Sequence, residues 1–128
     1  MDLYEYMGGA DTIRRIVEAF YPKVQAHPLL APIFPEDITP VMEKQYLFLT
    51  QFFGGQPLYT AQHGHPMMRA RHLPFPITKA RADAWLSCMQ EALEETIPSP
   101  ELRTVVLERL KGSAYFFINT EDEGASES

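Results

Sequence analysis

Two prolines, Pro74 and Pro76, lie in the stretch of chain that holds the only tryptophan and two of the four histidines. Each proline fixes φ and disfavours helix in the residue before it, so the helical segment that precedes them should end at His72. Thr78 is a typical N-cap residue, and a long helix that carries Trp85 two turns in should follow it. A stiff joint therefore holds an imidazole on one helix and an indole on the next.

The rest of the chain is dominated by helical periodicity. Four segments each place apolar side chains on one helix face. These faces contain Ile13, Ile16, Val17, Phe20, Tyr21 and Val24; Val41, Phe48, Leu49 and Phe52; Ala82, Trp85, Leu86, Met89, Leu93 and Ile97; and Leu102, Val106, Leu110, Ala114 and Phe117. Residues 54–65 lack periodicity and are expected to form a loop. Because there is no alternating strand pattern and no internal repeat, we predict an all-α fold of about five or six unequal helices.

Cap and breaker residues set the expected helix boundaries. A short opening helix over residues 2–7 should end at Gly8-Gly9, and Asp11 or Thr12 should cap the next helix. Pro22 lies inside that helix and should kink it or remove a backbone hydrogen bond. Further starts are predicted at Thr39-Pro40 and at Ser99-Pro100.

Length and composition limit the class of protein. With 128 residues, 45% of them hydrophobic, the chain fits one domain with a buried core. We place this domain at residues 1–118 and expect residues 119–128 to be an acidic, disordered tail. The net charge of −6 argues against nucleic acid or an anionic membrane as the main partner. The single Cys88 and the absence of an apolar leader after Met1 favour a soluble cytoplasmic protein.

The histidines can be interpreted either as structural or solvated residues or as metal ligands. His72 is either a partly buried residue at a helix C-terminus, where a cation is favoured, or a metal ligand oriented by a helix carbonyl. His63 and His65 form a spaced pair in a glycine-containing loop without nearby cysteine or carboxylate. A solvated loop is the better interpretation of that pair.

Several polar side chains lie next to or on apolar faces. Gln45 is the polar member of its stripe, so it either turns to the edge of the face or lines a cavity with a polar guest. Tyr21 and Trp85 either pack in the core or add two more donors from two other helices. Lys44 and Arg71 are either solvated or stand at a pocket rim, where they bind a carboxylate.

Familiar catalytic motifs are missing from the sequence. There is no Ser-His-Asp order, no glycine-rich phosphate loop, no Cys-X-X-Cys and no His-Glu-X-X-His. The usual hydrolase, nucleotide-binding and zinc-site interpretations therefore lack support.

Taken in order, these features resemble those of the truncated haemoglobins, group II, over nearly the whole chain from Tyr4 to about Ile118. The matching features are the pairs Gly8-Gly9 and Gly54-Gly55, the Phe20-Tyr21 pair, Phe34, Arg71-His72 with the following Leu-Pro-Phe-Pro, and Trp85. Each feature alone is weak, but their order and spacing over more than a hundred residues make the resemblance specific.

The resemblance implies a two-over-two helical sandwich that encloses one haem b. It implies His72 as the iron ligand on the proximal side, with Tyr21, Gln45 and Trp85 as polar groups on the opposite, distal side. It places Phe34 and Phe48 against the cofactor and makes Lys44 and Arg71 partners of its propionates. Two departures bear on the distal side: Val41 stands where some relatives carry a small or polar residue, and Pro22 directly follows Tyr21.

The function that the resemblance implies is tight binding of dioxygen or another diatomic ligand. A haem enzyme with the same pocket, acting as a peroxidase or nitric oxide dioxygenase, is the first alternative, and a cofactor-free helical interaction module is the second. The expected partners are a diatomic gas and, for redox chemistry, a reductase, with no role for nucleic acid or membrane. We expect a monomer or a weak homodimer.

Overall fold

The computed structural model describes residues 2–65 and 67–121 of the chain. Within these residues there are seven α-helices, a short 3₁₀ helix at Ala31–Ile33 and no strand. The α-helices are α1 (Leu3–Met7), α2 (Gly9–Ala26), α3 (Thr39–Phe52), α4 (Leu58–His63), α5 (Met68–His72), α6 (Lys79–Thr96) and α7 (Pro100–Phe116). The predicted all-α class is confirmed, whereas the predicted number of helices was too low.

Helix α4 is the element that the sequence analysis missed, because residues 54–65 were expected to be a loop. Six residues are too few to show a helical period, so the helix is held by contacts with its surroundings. Gln51 of α3 donates from Nε2 to the Thr60 hydroxyl at 2.8 Å and accepts the Thr60 N–H at 3.0 Å. Tyr59 is buried and anchors α4 against the core.

Two predicted helix starts are confirmed and two are shifted. The hydroxyls of Thr78 and Ser99 accept N–H bonds three residues ahead, as N-caps do. Helix α3 begins at Thr39 rather than after it, and Asp37 Oδ1 accepts the Thr39 N–H at 3.1 Å. Since an Asp two residues earlier supplies the acceptor, Thr39 does not need to cap the helix itself.

The other shifted start is that of α2, which follows α1 without a connecting turn. Gly8 ends α1 and also occupies the N-cap position of α2 with φ at +115°, in the left-handed region. A Cβ at Gly8 would stand 2.3 Å from the Thr12 hydroxyl. Asp11 and Thr12 therefore lie inside the first turn of α2, and only glycine suits the junction.

Pro22 does not end α2, which continues to Ala26. The proline is exposed, while Tyr21 and Val24 beside it are buried, so packing supports the helix where one backbone hydrogen bond is missing. The second half of α2, which the proline had placed in doubt, is therefore helical.

The four long helices pack on one another in pairs. Helix α2 packs against α3 and α6, and α6 packs against α7. The core between them includes Ile13, Phe20, Val24, Leu49, Met89, Leu93 and Val106. This arrangement is the two-over-two helical sandwich that the sequence analysis predicted. Within the described part of the chain, no helix has the length and apolar character required to cross a bilayer.

The C-terminal boundary differs from the sequence-based expectation. Asn119 and Thr120 were assigned to the tail, but both backbone N–H groups donate to the Ile77 carbonyl, at 2.9 and 3.1 Å. These bonds fasten the segment after α7 to the joint between α5 and α6. The remainder of the predicted tail, residues 122–128, lies outside the described residues.

Candidate functional site

A cavity of about 490 Å³ opens between the helices. Every side chain that the sequence analysis assigned to a site lines it: Tyr21, Phe34, Lys44, Gln45, Phe48, Arg71, His72 and Trp85. Val41 lines it as well. A volume of this size is typical of sites for small molecules and cofactors. These residues come from four helices, α2, α3, α5 and α6, and from the segment after α2. They are thus brought together around one space, while their individual roles remain predictions.

His72 is the cavity's single imidazole among the described residues and ends the short helix α5. Its Nδ1 lies 2.6 Å from the carbonyl oxygen of Met68, one turn earlier. A carbonyl can only accept, so Nδ1 carries the proton and donates, which leaves the lone pair of Nε2 available to a metal. The ring is half-buried and stacks on Phe117, with 4.4 Å between centroids and 8° between planes.

Tyr21 presents a neutral hydroxyl to the cavity. The residue is 2% exposed, and burial raises the pKa of its hydroxyl far above the usual value. No hydrogen bond joins this hydroxyl to another described residue. Since the described residues contain no fully buried polar side-chain atom without a partner, the hydroxyl must be open to the cavity.

Trp85 and Gln45 add two more polar groups to the same wall. The Trp85 indole is half-buried and meets the edge of Phe20 at 5.1 Å between centroids, and Phe20 meets Tyr21 at 4.9 Å. Phe20 therefore holds both polar aromatics in place from behind. As with Tyr21, neither the indole N–H nor the Gln45 amide bonds to another residue in the described part of the chain. Three donor-bearing side chains thus line a cavity without protein partners, which suits a polar guest.

The mouth of the cavity is basic. Lys44 is exposed on α3. Arg71 donates from Nη2 to the carbonyls of His63 and His65 at 3.0 and 3.3 Å, and its Cζ lies 5.5 Å from the centre of the Tyr59 ring. The two histidines of the α4 segment therefore contribute backbone carbonyls that hold Arg71. His63 lies at the end of α4 rather than in the predicted loop. The described residues contain no group of three or more His, Cys, Asp or Glu side chains that could hold a metal ion.

The structure adds lining residues that the sequence analysis did not assign to the site. Arg81 donates from Nε to the Leu29 carbonyl and from Nη1 to the Pro76 carbonyl, both at 2.8 Å. It thereby ties the segment after α2 to the proline joint at the edge of the cavity. Its sequence position, three residues after a helix cap, carries no signal for this role. Tyr59 was hidden in the aperiodic segment. Five other lining residues belonged to recognised apolar faces without being assigned to the site: Leu49, Ala82, Leu110, Ala114 and Phe117.

Together these features fit a flat, largely apolar cofactor with a metal centre and peripheral carboxylates. The walls are mainly apolar, with Phe34 and Phe48 among them. One imidazole with a free nitrogen, three donor-bearing side chains without protein partners and two cations all line the same cavity. If the protein's own side chains filled this space, the imidazole nitrogen and the three donors would have no group to bind.

Comparisons with known proteins show which family this chain is similar to. Residues 2–118 match the family described as bacterial-like globin. The group 2 truncated haemoglobin YjbI of Bacillus subtilis (strain 168) is 52% identical over 119 residues, which are 92% of this chain and 90% of that protein. The group II truncated haemoglobin from Bacillus anthracis superposes with a TM-score of 0.94 at 49% identity, covering 98% of this chain and 97% of that one. A truncated oxygen-avid haemoglobin from Bacillus subtilis superposes with a TM-score of 0.88 at 50% identity, covering 93% and 100%.

Proposed function

Because this chain belongs to the truncated haemoglobins of group II, a family of haem proteins that bind diatomic gases, we propose that it binds dioxygen tightly at a haem b whose iron is ligated by His72. The observation that carries the proposal is the hydrogen bond from His72 Nδ1 to the Met68 carbonyl within the wall of the cavity. This bond selects the tautomer in which Nε2 can act as a ligand.

The remaining lining residues would hold the cofactor. Phe34 and Phe48 would offer apolar surface to the porphyrin, in a cavity whose walls are mainly apolar. Lys44 and Arg71 are placed to neutralise the propionates, and the Arg71 guanidinium is well suited to a carboxylate because its donors form a planar fork. Arg71 is also held by the His63 and His65 carbonyls, so little freedom is lost when it binds.

When bound, the haem supplies an iron with one coordination position left for a diatomic ligand. Tyr21, Trp85 and Gln45 would then act on that ligand. The Trp85 N–H is a donor only, and the raised pKa of Tyr21 keeps its hydroxyl protonated at neutral pH, so both can donate to a ligand that carries partial negative charge. Each such hydrogen bond in a water-poor pocket should stabilise the bound state by about 1 to 3 kcal/mol.

Two donors of this strength would slow ligand release by roughly 10²-fold, because about 1.4 kcal/mol corresponds to a factor of ten. The name of one similar structure describes a Bacillus subtilis protein as oxygen-avid, which is consistent with this proposal for the present chain. Slow release suits scavenging, sensing or oxygen chemistry better than bulk transport.

Absorption spectroscopy of the expressed protein tests the proposal directly. We expect a Soret band in the oxidised protein and a five-coordinate, histidine-ligated spectrum after reduction, which shifts on addition of carbon monoxide. The variant His72→Ala should lose the histidine-ligated form. If that variant kept the wild-type reduced spectrum, His72 would not be the ligand, and if the protein took up no haem on supplementation, the whole assignment would be wrong.

A further inference from the structure

The side chain of Asn119 makes three hydrogen bonds to the segment that follows His72. Its Nδ2 donates to the carbonyl oxygens of His72 at 3.2 Å and of Phe75 at 3.0 Å. Its Oδ1 accepts the backbone N–H of Ile77 at 3.0 Å. One amide thus binds a carbonyl at the last residue of α5 and two backbone groups in the non-helical connection between α5 and α6.

The main chain strengthens the same connection. The N–H groups of Asn119 and Thr120 both donate to the Ile77 carbonyl, and the Thr120 hydroxyl lies 2.6 Å from Asn119 Oδ1. The bonds to His72, Phe75 and Ile77 join positions more than forty residues apart. The end of the folded chain is therefore fastened to the proline joint, and the amide of Asn119 is the centre of the contact.

Helix α5 needs such external support. It has five residues, and an isolated helix of this length is not stable by itself. Pro74 and Pro76 have no N–H with which to continue a backbone network after it. The His72 carbonyl accepts the Phe75 N–H at 2.9 Å within the joint, and Asn119 gives it a second donor. The Phe75 carbonyl receives its hydrogen bond from Asn119.

We propose that Asn119 is a positioning residue that orients His72 by holding the carbonyl of the histidine and the joint that follows it. Phe117, two residues earlier on the same segment, covers the face of the imidazole. One segment thus fixes both the ring plane and the backbone of His72. The inference rests on the proposed function, because orientation matters only if His72 ligates the iron.

The residue type suits the task. Asparagine offers two N–H donors and one carbonyl acceptor at the end of a short side chain. Aspartate keeps the acceptor but loses both donors, and alanine loses all three contacts. The variants Asn119→Asp and Asn119→Ala therefore separate the bond to Ile77 from the bonds to His72 and Phe75.

Tyr115→Phe is the matched control. It removes the hydrogen bond from Tyr115 to Asp83, which lies in the same region of α7 but does not touch His72. The first measurement is the iron–histidine stretching band of the reduced protein by resonance Raman spectroscopy. The second is the rate of haem transfer to an acceptor protein, and the third is amide hydrogen exchange at Ile77 in the haem-free chain.

For both Asn119 variants we expect the iron–histidine band to move or broaden and haem transfer to become about 3- to 10-fold faster. In the haem-free chain, Ile77 exchange should be about 10-fold faster in Asn119→Ala and less affected in Asn119→Asp, which keeps an acceptor. Tyr115→Phe should leave the band and the transfer rate at wild-type values. If Asn119→Ala does not fold, the Asn119→Asp variant carries the test.

If the wild type shows a normal iron–histidine band and neither Asn119 variant shifts it, this inference is wrong while the proposed function stands. That holds even if both variants unfold at a lower temperature. A band shift of equal size in Tyr115→Phe would also overturn it, because the effect would then report general loosening of α7. A wild-type protein without any iron–histidine band would instead overturn the proposed function and this inference with it.

Discussion

The imidazole of His72 lies almost parallel to the phenyl ring of Phe117, with 4.4 Å between their centroids. This contact joins the last residue of α5 to the residue that follows α7, two elements far apart in the sequence. It leaves the ring little freedom to rotate, while the Met68 carbonyl fixes which nitrogen carries the proton. Phe117 thus fixes the plane of the imidazole, and the Met68 carbonyl fixes its tautomer.

Phe117→Leu should therefore weaken the packing on the His72 imidazole without leaving a large gap beside it, because leucine keeps apolar volume but cannot stack on the ring. Aromatic pairs contribute about 0.5–1.5 kcal/mol beyond their buried area, so haem loss should be about 2- to 10-fold faster. Phe116→Leu is the matched control, since Phe116 is largely exposed and tilted by 59° from Phe117. Equal haem-transfer rates in the two variants would show that the stacking does not matter.

The distal assignment predicts that Tyr21→Phe and Trp85→Phe act in the same direction. Each removes one donor while it keeps an aromatic ring against Phe20, so each should speed oxygen dissociation several-fold. The double variant should release oxygen roughly 10²-fold faster, measured by stopped-flow displacement with carbon monoxide. An unchanged oxygen dissociation rate in the double variant would show that Tyr21 and Trp85 do not stabilise bound oxygen.

At the rim of the cavity, Lys44→Ala and Arg71→Ala should each increase the rate of haem transfer to an acceptor protein. A partly exposed ion pair contributes up to about 1 kcal/mol, so the expected change is up to about 5-fold and should shrink in high salt. Arg71→Lys tests the fork geometry, because it keeps the charge and loses the bidentate contact. If neither alanine variant changes the transfer rate, the propionate assignment is wrong.

How much was predictable from the sequence depends on how locally each feature is encoded. The caps at Thr78 and Ser99 were predictable because a single hydroxyl and the residues just after it determine them. The short helix α4 was not, because it is stabilised by Gln51 from another helix. Arg81 was missed for the same reason, since its hydrogen-bond acceptors lie on segments that only the tertiary fold brings near.

Burial of Tyr21 predicts a specific loss of stability in alkali. Its pKa is raised in the folded chain, so its neutral form contributes stability that is present below pH 10. Above that pH the unfolded chain releases the proton and the folded chain does not, so the free energy of unfolding falls as pH rises. Urea unfolding of the haem-free protein between pH 8 and about 11 should show a shallower decline for Tyr21→Phe than for the wild type. Parallel pH profiles would contradict the burial of this hydroxyl.

Pro22 occupies an exposed position inside α2, where it withholds an N–H from the carbonyl one turn earlier. Pro22→Ala restores that donor on a residue with high helix propensity, so the free energy of unfolding should increase by about 1 to 3 kcal/mol. Tyr21 directly precedes the proline, so a change of the backbone at this point should move its hydroxyl relative to the cavity. We therefore expect a higher unfolding temperature together with a changed oxygen dissociation rate. Pro28→Ala, in the segment just beyond α2, is the control, because it lies outside the helix and should not reproduce the gain. A Pro22→Ala variant less stable than the wild type would mean that the proline fits a local bend on which α2 depends.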